Sequence, residues 1–389
     1  MKKLIAILVI LIISSSLGFS QSAKDNLRSA VKNKEYIEAS NYISEAISDN
    51  PKDLDLHILC GDLYFEIEKL DSALILYRKA DDISSNESKV LRKIGRTLSY
   101  MGRHQEAIKI LNDLVRRKKD DVYNHLELGS AYIKADSLSQ AELTITRARE
   151  MNRSIPDGWV ALGDLYFAQR VYELARTNYE EALSIDEDLT DARVKLATAY
   201  YWLANQETDK DLSNELFTRS LKEWNIVTQK DPKNARAFFE QGKILFLAKK
   251  WEDAAKSFYQ YTQLRPTGSL GRWYMAQSMF ELGQCDSAAP QLKIVANEID
   301  TVKNKATLML AQCFFDQKRY QESVNEYNVL HKTGILDLKD LKRYAAALFR
   351  VNDTTNGLKI YEEIITKDTT ECLLMYQLGS LMLSMKNYP

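Results

Sequence analysis

The sequence predicts an all-α protein, a solenoid of antiparallel helix pairs with about ten pairs and a final half. Three observations predict it. A small residue returns every 34 positions or so: Gly61, Gly95, Gly129, Gly163 and Ala197, then, after one insertion, Gly242, Ala276, Ala311, Ala345 and Gly379. A second small series runs twelve residues behind for most of the chain: Ala39, Ala73, Ala107, Ala141, Ala175, Ser220, Ala254, Ala288, Ser323 and Gly357. Large apolar residues stand three or four apart around the small ones, the spacing of one helical face. A single unit of this size buries too little surface by itself, and stacking neighbours completes the core.

The units fall in order at residues 20–53, 54–87, 88–121, 122–155 and 156–189, then 190–234 with the insertion, 235–268, 269–303, 304–337, 338–371 and an incomplete 372–389. In each, positions 4, 7, 8 and 11 share a face of the first helix, and positions 20, 24 and 27 form the matching stripe on the second. Glycine or alanine at 8 and 20 lets the two axes approach. In the sixth unit about eleven polar residues, around Ala204 to Asn214, exceed the period and contain no Gly or Pro. They read as one or both helices lengthened by a turn or two. Position 27 is small early (Ala46, Ala80, Ala148, Ala182, with Leu114 the exception) and large later (Val227, Tyr261, Val295, Leu330, Ile364). Larger residues there should push neighbouring helices apart and change the curvature between the halves.

Repeat five carries Trp159, Leu162, Gly163, Tyr166, Ala175, Tyr179 and Ala182 from Pro156 onward; repeat seven has Phe238, Gly242, Leu245, Ala254, Phe258 and Pro266. This pattern resembles the tetratricopeptide repeat over roughly residues 20 to 389. The resemblance implies a right-handed superhelical α-solenoid whose first helices line a concave groove through positions 2, 5, 9, 12 and 13. The candidate peptide-binding residues are therefore Arg92, Arg96, Tyr100, Asp164, Phe167, Tyr201, Trp202, Phe239, Lys243, Phe246, Trp273, Gln277 and Phe280. Position 12 is commonly aromatic in the family for packing alone, so Trp202 and Trp273 stand out among the rings. Some family members clamp a C-terminal carboxylate, and Arg92 with Arg96 resembles one part of that clamp. Asp62 stands where asparagine would be needed, so the two arginines are expected to pair with Asp62 or to form a local anion-attracting patch.

Lys2 and Lys3, an apolar run from Leu4 to Ile13, and Gly18-Phe19-Ser20 before Gln21 read as a secretory signal peptide over residues 1–20. The run is short for a membrane span, which needs about 20 residues. The solenoid, residues 21–389, is then expected outside the inner membrane, periplasmic or extracellular in a bacterium, or tethered if the signal stays uncleaved. Lys and Arg total 53 against 54 for Asp and Glu, a net charge of −1. That balance gives no field for nucleic acid.

No HExxH, GxSxG, P-loop or GxGxxG occurs, so neither catalysis nor a cofactor is expected. His57 and His125 occupy position 4 and His104 position 17, all packing sites. Cys60, Cys285, Cys313 and Cys372 show no metal-ligand spacing and are expected as thiols, although Cys285 and Cys313 lie in adjacent repeats. The final half unit exposes Met375, Leu378 and Met382 with no second helix to cover them. A missing domain or a second copy is expected there. The chain thus reads as a non-catalytic scaffold for protein or peptide segments. Two alternatives stand beside it: an arm of a longer protein whose effector lies beyond residue 389, and a glycan-binding envelope protein.

Overall fold

The computed structural model describes residues 23–368, together with 376, 379 and 380. The signal segment and the core positions of the last half unit, Gly379 apart, lie outside the described residues. Repeats one to three are α1 (residues 23–32) with α2 (Tyr36–Asp49), α3 (Leu54–Glu66) with α4 (Leu70–Ile83), and α5 (Ser88–Tyr100) with α6 (His104–Arg117). Repeats four to six are α7 (Val122–Lys134) with α8 (Leu138–Met151), α9 (Pro156–Ala168) with α10 (Tyr172–Ile185), and α11 (Thr190–Gln206) with α12 (Lys210–Lys230). Then come α13 (Ala235–Leu247) with α14 (Trp251–Leu264) and α15 (Ser269–Glu281) with α16 (Cys285–Glu298). A 3-10 turn (Asp300–Val302) leads into α17 (Lys303–Asp316) with α18 (Tyr320–His331) and α19 (Leu338–Arg350) with α20 (Thr354–Lys367). No strand occurs among the described residues. The fold is an all-α solenoid of helix pairs, divided between Glu223 and Trp224 into two compact units.

Local chemistry sets each pair. Asp53, Asp121, Asn234 and Asp337 cap the starts of α3, α7, α13 and α19 with their side chains, and Pro156 opens α9. Outside repeat six, whose first helix runs on past that point, the first helices end in a left-handed residue at position 15. In repeat five this is Arg170, where Val171 N–H donates to Tyr166 O and Arg170 N–H to Phe167 O. Only Gly102 and Gly283 supply glycine at that point; Glu68, Asp136, Lys249 and Lys318 accept positive φ instead.

The small residue at position 8 makes room for the side chain at position 24 of its own repeat. A Cβ on Gly163 would lie 2.3 Å from Tyr179 Cε1, one on Gly61 2.5 Å from Tyr77 Cε1, and one on Gly129 2.3 Å from Ile145 Cγ1. Position 20 touches the same backbone: Ser220 Oγ donates to Ala197 O at 2.7 Å and Ser323 Oγ to Ala311 O at 2.9 Å. In repeat six both helices are long, 17 residues for α11 and 21 for α12. Ser213 Oγ holds the start of α12 to Ala204 O at 2.7 Å.

At position 27 the Tyr261 ring occupies space that Gly268 and Gly271 leave open; a Cβ on Gly271 would lie 2.1 Å from Tyr261 Cδ1. One expectation needs correction. Cys285 and Cys313 are not thiols. They form a disulfide across repeats eight and nine, with Cα atoms 5.2 Å apart, a separation that suits a bridge. Cys60 is a buried thiol, and burial pushes its pKa up to about 12.

His57 and His125 are buried, each with a ring nitrogen 2.8 Å from a backbone carbonyl, of Asp53 and Lys119 respectively. A carbonyl only accepts, so each of those nitrogens carries its proton and is committed to packing.

Candidate functional site

The first helices of repeats two to six bring a row of charges together, and the structure shows how each is engaged. Asp62 accepts from Tyr77 Oη at 2.5 Å and pairs with Lys93 Nζ at 2.6 Å. Three repeats later the arrangement recurs: Asp164 accepts from Tyr179 Oη at 2.9 Å and from Lys195 Nζ at 2.7 Å. The glycine before each aspartate is what lets the tyrosine ring lie flat enough against the first helix for its hydroxyl to reach the carboxylate. The lysine comes from the next repeat, so the triad also fastens one pair to its neighbour.

Burial pushes both phenols up, and the adjacent carboxylates push them further. Burial also raises Asp164, against the pull of Lys195. At Lys195 burial opposes the charge, but Asp164 and Asp191 outweigh it and raise its pKa. These tyrosines and lysines were not among the sequence candidates. Their signal was present: Gly-Asp, then Tyr fifteen residues after the Asp, then Lys sixteen further on, occurs at Asp62 and again at Asp164.

Arg92 and Arg96 do not pair with Asp62, whose Oδ1 takes both Tyr77 and Lys93; they turn to repeat four. Arg92 donates to Asp121 at 3.0 Å and to Asn124 at 2.8 Å, and Arg96 binds Glu127 through two nitrogens. Repeat four thus neutralises what would have been an anion-attracting patch.

The aromatic candidates divide by position. At position 12, Phe167 packs on Tyr172 with ring centroids 5.0 Å apart, and Phe246 on Trp251 at 5.0 Å. Phe315 and Tyr320 repeat the contact at 5.6 Å. This is packing between the two helices of one repeat. At position 13, rings stand outward. Tyr100 is 53% exposed, with Phe65 at 5.1 Å and Lys134 Nζ 4.0 Å above its ring. Trp202 is 43% exposed and stacks on the buried Tyr172 at 5.7 Å. Tyr201, half-buried, lies edge-on between Trp202 and Phe217.

In the second unit, Phe239, Lys243, Phe246 and Phe280 are half-buried. Lys243 Nζ reaches Glu240 at 2.8 Å. Trp273 and Gln277 are not displayed as the sequence suggested. Trp273 is 5% exposed in the core with Leu292 and Leu310, and Gln277 is also buried. Position 5 is buried in other repeats too, at Ile58, Leu126 and Val160, so Trp273 follows the packing of the repeat.

Among the described residues no cluster of His, Cys, Asp or Glu has a metal-binding arrangement. Nor is any described helix long and apolar enough to cross a membrane.

A sequence profile of the tetratricopeptide repeat matches residues 25–88, 126–192 and 209–269. The RNA polymerase-associated protein CTR9 of Caenorhabditis elegans is 22% identical over 195 residues, covering 49% of this chain and 17% of that protein. The chain therefore spans about a sixth of the length of that curated relative. Similar solved structures include a tetratricopeptide repeat protein from Parabacteroides merdae, with 16% identity and a TM-score of 0.44 over 67% of this chain and 98% of that one. The Cut9–Hcn1 hetero-tetramer of the APC/C has 17% identity and a TM-score of 0.46 over 80% and 58%.

Proposed function

The chain belongs to the tetratricopeptide repeat family, and we propose that it is a non-catalytic scaffold holding protein or peptide segments on its first-helix face. The observation that carries this reading is the display of Tyr100 and Trp202 on that face, each backed by a fixed ring. An outward ring held by an inner one offers contact area without an entropy cost on binding. Arg92, Arg96, Asp164 and Tyr201 form the rest of the surface in the first unit, with Phe239, Lys243 and Phe280 in the second, while Phe167 and Phe246 brace it from within the repeat.

The scaffold works outside the inner membrane. The charged, apolar and small-residue order of positions 2–20 supports export. So does the Cys285–Cys313 bridge, since structural disulfides persist in oxidising compartments.

The test is a cross-linked pull-down by the full tagged chain, expressed with its own N-terminus, followed by fractionation of the cell envelope. Recovery from the periplasm or medium, with proteins retained by wild type and lost in the Tyr100→Ala, Trp202→Ala double variant, is the expected result. An identical retained set in both proteins removes the groove reading, and recovery in the cytosol with intact residues 1–20 removes the export reading.

A further inference from the structure

Within that binding reading, on which this step rests, we infer that repeats five and six select an extended segment pairing a Lys or Arg with an apolar residue four or five positions away. The apolar station is Trp202. Its ring is stacked at 22° on Tyr172, which is 7% exposed and wedged against Phe167, so the exposed indole face is held in place.

The cationic station lies along the same helix. Asp191, Lys195, Thr198 and Trp202 fall at i, i+4, i+7 and i+11 of α11, one continuous stripe. Lys195 Nζ lies 2.7 Å from Asp164 and 3.1 Å from Asp191, so a single ammonium is shared by two carboxylates. Asp157, exposed two turns before Asp164 on α9, adds a third. The repeat itself does not demand acid at position 2, where repeat three has Lys89 and repeat four Tyr123. This end of the stripe is short of positive charge, and a ligand cation supplies it.

Repeat three offers no counterpart for an acidic ligand, since Asp121, Asn124 and Glu127 already occupy Arg92 and Arg96. The spacing follows from helix geometry. Eleven residues at a rise of about 1.5 Å put Trp202 roughly 16 Å from Asp191. An extended chain covers that distance in about five residues.

The experiment is fluorescence anisotropy of the full chain with labelled Ser/Gly decapeptides. Each carries Lys-Lys and Pro-Leu with none to six residues between them, and a matched set carries Glu-Glu in place of Lys-Lys. The Lys series is expected to bind at least tenfold tighter than the Glu series, with its optimum where Lys and Leu stand four or five positions apart. Trp202→Ala should weaken it about tenfold. Asp157→Asn with Asp191→Asn, which leaves the buried Tyr179 contact intact, should weaken it several-fold and flatten its salt dependence.

Equal binding of the Glu series, or binding unmoved by the two aspartate changes, overturns the charge selection. If such binding is still lost in Trp202→Ala, the groove reading survives. If neither series binds at millimolar peptide, both readings fall.

Discussion

Replacing Gly163 by alanine tests the packing rule on which the solenoid rests. On an exposed helix the change would stabilise by about 1 kcal/mol through helix propensity. Here the new Cβ would lie 2.3, 2.6 and 2.9 Å from Cε1, Cδ1 and Cζ of Tyr179. That ring is 1% exposed and cannot swing to solvent. It must retreat by about an ångström, at an overpacking cost of about 1–3 kcal/mol. Retreat also stretches the 2.9 Å bond to Asp164, and bonds to charged groups contribute about 1.5–3 kcal/mol. The opposing terms leave a net loss of about 1–3 kcal/mol. Repeat nine is not a counterexample: Ala311 stands at position 8 beside the buried Tyr327, but position 9 is Gln312, engaged with Asp340, so that tyrosine has no position-9 carboxylate to hold. Hydrogen exchange is the suitable assay, because repeat arrays open locally. Amides of α9 and α10 should exchange about tenfold faster or more in Gly163→Ala. Adding Tyr179→Leu copies the Ala276 and Leu292 pair of repeat eight and should recover at least 1 kcal/mol relative to the sum of the single changes. A neutral or stabilising single variant, or strict additivity of the pair, would refute the reasoning.

Two further outcomes are expected. The Cys285–Cys313 bridge closes a loop of 28 residues, so reduction, or Cys313→Ala, should lower stability by about 3–4 kcal/mol on the chain-entropy account. Cys60, with its pKa pushed up to about 12 by burial, should meanwhile stay silent to a thiol reagent in native Cys372→Ser protein until denaturant is added; a native thiol signal contradicts the burial. At the other end, the Lys24 hydrogen bond pulls the Asp53 carboxyl below its ordinary 3.8. A depressed folded pKa gives stability that is present above the ordinary value and is lost as pH falls through the lower one. Peptic cleavage beside Leu27, read directly in acid, should therefore rise as pH falls below about 4 by more than pepsin's own activity on an unfolded control peptide does. Lys24→Met should remove most of that dependence, and an unchanged profile argues against the contact.

The periodicity alone determined the helix pairs, because a 34-residue beat of small residues can be buried only by close pairing and stacking. The pairing of Gly163 with helix approach, and Tyr179 at position 24 as a residue filling the space around it, were legible for the same reason, but the bond from that ring to Asp164 was not, since the two lie fifteen residues apart on different helices. Arg92, Arg96 and Asp62 show the limit most clearly. Their positions in the repeat were readable, yet their partners come from neighbouring repeats, and the choice among several nearby charges depends on angles that only packing sets. Trp202 and Trp273 differ in the same way. One, at position 13, faces outward from a lengthened helix against Tyr172, and the other, at position 5, packs into the core with Leu292 and Leu310. Local spacing decided which helices form, while the fit of side chains across helices decided which of their residues remain available to a partner.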